Sequence, residues 1–112
     1  MRAETLKGHL DGMLLASLEA GPRHGYAIME ALRAGSGGRL DLPTGTINPA
    51  LHRLERAGLV HATWSQAGGR RRRLYQLTPA GRQALAAERG SWREFAATVT
   101  RLLEPAPHPV TP

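Results

Sequence analysis

The sequence predicts a mainly α-helical domain with one small β-hairpin and a long helix added at its C-terminal end. Three observations carry that prediction. Apolar residues recur at helical spacing in four stretches. One stretch alternates with period two and is answered by another across a glycine-containing turn. Glycine and proline punctuate the joins between these segments.

Residues 9–20, HLDGMLLASLEA, read as a first helix with Met13, Leu14, Leu15 and Leu18 inward, stopped by Gly21-Pro22. Residues 24–34, HGYAIMEALRA, read as a second, with Tyr26, Met29 and Leu32 inward. Gly35 to Gly38 form a turn, and Leu40 and Leu42 suggest a very short strand. The third helix, TGTINPALHRLERAGL, holds Pro49 inside an otherwise regular apolar pattern. Proline lacks an N–H and clashes with the preceding turn. The spacing therefore places the helix start near Thr46, as a cap, with Pro49 in the first turn, where amides have no helical partner. Gly58 supplies the stop.

Residues 59–66, LVHATWSQ, alternate as a half-buried strand. Ala67-Gly68-Gly69 turns the chain, and residues 70–77, RRRRLYQL, return as a second strand. Residues 78–103 form the last helix, capped by Thr78 and started by Pro79. Leu85, Trp92 and Val99 lie seven apart, with Phe95 and Leu102 three beyond the last two, a short heptad-like seam. The tail from Glu104 has four prolines in nine residues and is expected to be disordered.

Three helices followed by a hairpin are the parts of a winged helix-turn-helix, and the last helix is surplus to that unit. The expected division is a winged helix-turn-helix over 1–77, a dimerisation helix over 78–103 in the same compact unit, and a tail over 104–112. At 112 residues the chain buries a limited core, so association of subunits is a natural source of stability.

Net charge is +6, which suggests a polyanionic partner, nucleic acid before an acidic membrane. Arginine supplies 14 of the 15 basic residues; guanidinium groups are the better bidentate partners for phosphate and guanine. On a wheel, Ile47, Ala50, Leu51 and Leu54 share one side of the third helix, while Gly45, Pro49, His52 and Arg56 lie opposite, flanked by Thr46, Asn48 and Arg53. Small and polar residues on an outward face suit entry into a major groove. Arg70, Arg71, Arg72 and Arg73 follow the two-glycine hairpin tip, and Arg70 and Arg71 can reach phosphates or an adjacent minor groove. The expected DNA-contacting set is Lys7, His24, Tyr26, Thr44, Thr46, Asn48, Pro49, His52, Arg53, Arg70, Arg71 and Arg72.

Several functions are excluded or unsupported. There is no cysteine, hence no disulfide and no thiolate metal site, which fits a cytoplasmic protein. The start, MRAETLKGHL, has no apolar core of signal-peptide length, and no apolar run approaches a membrane span. The five histidines are scattered, so no metal or other cofactor is expected. There is no phosphate-binding glycine loop and no nucleophile signature, so the chain is not expected to be an enzyme.

Four segments, LKGHLDGMLLASL, GPRHGYAIMEAL, GTINPALHRLERAGLV and GGRRRRLYQLTPAGRQAL, resemble the PadR family of bacterial transcription regulators. The resemblance runs from residue 6 to about 103, and the single C-terminal helix resembles the small subfamily. It implies a homodimer that represses by binding double-stranded DNA at an operator and is released by a small ligand. It also implies dimerisation through the last helix and the N-terminal helix, placing Leu10, Leu14, Leu85, Trp92, Phe95, Val99 and Leu102 at the interface. Some drug-responsive members stack planar ligands on a tryptophan of that helix; Trp92 matches its place, as an aromatic effector site or as a packed interface residue. The family pattern has tyrosine before the proline of GTLYPAL, where this chain has Asn48, which is shorter and suited to adenine. The alternative function is a winged-helix adaptor for another protein, without specific DNA binding.

Overall fold

A computed structural model describes residue 6 and residues 8–105; the expected Lys7 contact and the tail from residue 106 lie outside the described residues. The elements run α1 (Leu10–Ser17), β1 (Arg23–His24), α2 (Gly25–Gly35), α3 (Thr44–Arg56), β2 (Val60–Ser65), a 3-10 turn (Ala67–Gly69), β3 (Arg72–Leu77) and α4 (Pro79–Leu103). The strands form one antiparallel sheet in the order β1-β3-β2. In the hairpin Val60 pairs with Leu77, Trp64 with Arg73 and Ser65 with Arg72; β1 adds Arg23 opposite Tyr75.

The core lies where α1, α2 and α3 meet one face of the sheet. Leu14, Leu15, Leu18, Ile28, Ile47 and Leu51 are fully buried, closed in by Leu54, Val60, Tyr75, Leu77 and Leu85. All four apolar positions read from the α3 wheel are buried. Burying one leucine side chain contributes about 1.5–3 kcal/mol, so this cluster fixes how α3 is presented.

The helix ends follow local chemistry. Beyond α3, Gly58 adopts φ 76°, its amide donates to the Glu55 carbonyl at 3.0 Å, and the Leu59 amide donates to the Leu54 carbonyl at 3.0 Å. That pair of bonds is a Schellman motif, which needs a residue tolerant of positive φ. At α4, the Gly81 amide donates to Thr78 Oγ1 at 3.0 Å, as expected of a threonine cap, and Thr78 Oγ1 donates to the Gly58 carbonyl at 2.6 Å. One hydroxyl therefore ties the end of α3 to the start of α4. Gly81 is buried there, and a Cβ on it would lie 1.9 Å from the Leu59 carbonyl oxygen. After Leu103 the chain turns extended at Glu104, the residue before Pro105.

Three expectations need correction. Leu40 and Leu42 form no strand; Leu40 is buried in a loop, its amide donating to Ser36 Oγ at 2.8 Å. The third strand is instead Arg23–His24, too short to show a period. Helix α3 starts at Thr44 with Pro43 in the cap position, not at Thr46. The amides of Thr46 and Ile47 both donate to the Pro43 carbonyl, at 3.0 and 3.2 Å, so Thr46 lies inside the first turn. Pro49 is then the sixth helical residue, and the carbonyl deprived of its donor belongs to Gly45, an exposed residue with no side chain to hinder water.

Candidate nucleic-acid interface

The outward face of α3 and the arginine strand of the hairpin meet in one open cleft of about 560 Å³. It is lined by Thr44, Asn48 and His52 of α3, by His24, Gly25 and Tyr26 at the start of α2, and by Arg70, Arg72, Arg73 and Tyr75 of the hairpin. Seven residues of the expected DNA-contacting set converge here: His24, Tyr26, Thr44, Asn48, His52, Arg70 and Arg72. The lining contains no carboxylate and three guanidinium groups, a chemistry matched to phosphate. Tyr26, expected to point inward, is 61% exposed at the rim.

Asn48 is exposed but closely fitted. A Cβ on Gly25 would lie 3.0 Å from Asn48 Oδ1, so the amide oxygen rests against the first residue of α2. The positive end of that helix favours an oxygen there. His24 occupies the α2 cap position without a side-chain capping bond, and its Nδ1 is buried without a hydrogen-bond partner in the protein.

The other expected contacts stand outside the cleft. Thr46 and Pro49 are exposed on the α3 surface beside it. Arg53 forms an ion pair with Asp11 of α1. Arg71 lies over the Trp64 ring, 4.3 Å from its centroid. Arg73, Tyr75 and Gly25 complete the lining and are absent from the sequence-derived set. Arg73 follows Arg72 on the strand, and only the tertiary fold reveals that it reaches Glu55 of α3, at 2.6 Å. Burial raises the pKa of the Tyr75 hydroxyl, so it stays neutral.

The profile of the transcriptional regulator PadR-like family matches residues 14–87, most of the described chain. The chain belongs to the PadR-like family of transcriptional regulators. It is 39% identical over 77 residues to the transcriptional regulator Rv3488 of Mycobacterium tuberculosis, a match covering 69% of this chain and 59% of that protein. A PadR-like transcriptional regulator from Bacillus cereus superposes with a TM-score of 0.80 at 27% identity, over 92% of this chain and 99% of its own. A PadR family regulator from Eggerthella lenta gives 0.78 at 30% identity, over 90% and 87%. A Clostridium thermocellum regulator reaches 0.84 at 21% identity, over 93% and 99%, which speaks for the fold. These are transcriptional regulators rather than enzymes, and the winged-helix architecture is theirs.

A second concave feature of this PadR-family chain lies between α1 and α4. A groove of about 410 Å³ is lined by Leu6, His9, Gly12, Met13, Ala16, Leu85, Glu88, Arg89 and Trp92. Trp92 meets the His9 ring edge-on at 5.3 Å and Phe95 at 6.0 Å. Of the expected interface residues, Leu14 and Leu85 are buried in the core and Leu10 packs against it, because α1 and the first turns of α4 cover one another. Trp92, Phe95 and Leu102 are more than half exposed, and Val99 is half-buried. Among the described residues no helix is long and apolar enough to cross a membrane, and no three histidine or acidic side chains gather as metal ligands.

Proposed function

We propose that the chain is a sequence-specific regulator that binds a two-fold operator in double-stranded DNA as a homodimer, represses from it, and is released by a small planar aromatic ligand. The observation that carries this reading is the cleft uniting the α3 face with Arg70 and Arg72, free of carboxylates among its lining residues. Asn48 and His52 supply base-reading groups, Thr44 and Tyr26 flank them, and the arginines meet phosphate. The exposed apolar residues of α4 support pairing with a second copy, the division at residue 77 separating DNA binding from dimerisation. Trp92 at the groove supports the aromatic ligand. Action on DNA accords with a cytoplasmic location.

Footprinting on the DNA upstream of its own gene tests the reading. Two symmetric protected patches about one helical turn (~34 Å) apart are expected, weakening steeply as salt rises. A folded protein with no duplex binding, or with binding insensitive to salt, contradicts it. Quenching of Trp92 emission by planar aromatic compounds is expected to accompany loss of the footprint; unchanged emission across a diverse panel contradicts the ligand.

A further inference from the structure

The four-arginine run does not act as one block. Arg71 immediately precedes β3 and Arg73 lies on it opposite Trp64 of β2, and the Trp64 ring lies beside both guanidinium groups. The Arg71 guanidinium sits 4.3 Å from the ring centroid and that of Arg73 at 5.3 Å. Arg73 also lies 6.0 Å from the Tyr75 ring and donates to Glu55 Oε2 on α3 at 2.6 Å. Trp64 is 54% exposed and belongs to neither the core nor the cleft, so packing gives no account of a tryptophan at this place.

The geometry points to Trp64 as a positioning residue for DNA binding: it holds the Arg71 guanidinium in place for a backbone phosphate beside the base pairs that α3 reads. The inference rests on the DNA-binding reading above. An exposed arginine beside a hairpin tip loses side-chain freedom when it meets a phosphate. A ring face that already holds the guanidinium plane removes part of that cost and leaves its N–H edge free. The Glu55–Arg73 pair then joins this platform to α3, so that wing and helix approach one duplex in a fixed relation.

The test is a double-mutant cycle on a labelled duplex carrying the footprinted site. Replacing the ring by an aliphatic side chain of comparable packing, W64L, should weaken binding about two- to fivefold, and W64F should restore most of it. R71A should lower the salt slope by about 1. In the R71A background W64L should have no further effect. In the free protein the Arg71 side-chain protons should carry an upfield ring-current shift that W64L removes. Equal losses from W64L with and without Arg71, full retention in W64L, or no ring-current shift in the wild type overturns the inference while DNA binding stands. Failure of the wild type to bind any duplex brings down the DNA reading and this inference together.

Discussion

Leu85 and Trp92 stand seven residues apart on one seam of α4, yet Leu85 is 4% exposed and Trp92 is 52% exposed. The first half of α4 closes the core over α1, with Gly81 fitted against the Leu59 carbonyl and Arg89 clasping Glu19 through two bonds of 2.7 and 2.6 Å. The second half runs on with Phe95, Leu102 and Leu103 at 57%, 78% and 79% exposure. A single apolar stripe is thus covered in its first half and bare in its second. Periodicity shows which face of a helix avoids water; the reach of the neighbouring elements decides whether this chain or another covers it.

Breaking the packed half should have the largest effect. G81A drives a methyl group into backbone, and the variant should lose more than about 2 kcal/mol of stability, read as a fall in thermal midpoint. An unchanged midpoint would mean that the junction of α3 and α4 is looser than its geometry. Charging the free half should spare the fold. F95D/L102D should stay folded, with its melting temperature lowered only by the lost subunit association, sediment as a monomer, and bind an operator duplex at least about tenfold more weakly, because the two linked heads of the proposed dimer become one.

The smallest effect belongs to the Glu19–Arg89 clasp that marks the border between the halves. Its hydrogen bond to Arg89 lowers the Glu19 pKa. The folded-state pKa lies below the unfolded one, so the stabilisation is present above the ordinary carboxylate range and is lost as pH falls through the lowered value. E19Q should therefore narrow the stability difference between neutral and acidic solution slightly, as befits an exposed pair. Identical acid limbs for E19Q and wild type would remove the clasp from the account.

The same contrast explains what could be read from the residues alone. The buried side of α3, the Gly58 stop, the Thr78 cap and the hairpin follow from short-range rules, and the structure shows them. The residues alone set the start of α3 two positions late, because Pro43 already opens the helix and exposed Gly45 lets Pro49 sit further inside. Strand β1 has two residues and no period to detect. The links that sort the arginines, Arg53 to Asp11 and Arg73 to Glu55, join positions 42 and 18 residues apart. Nothing local marks them, although they draw Arg53 to α1 and tie Arg73, itself part of the cleft lining, to α3.

The central claim is that the cleft between α3 and the wing reads DNA, and competition between operator and scrambled duplexes tests it most directly. Wild type should prefer the operator by about a thousandfold or more. N48A/H52A should lose most of that preference while keeping its salt slope, because the proposal gives the bases to Asn48 and His52 and the phosphates to the arginines. Undiminished preference in the double variant would contradict the account.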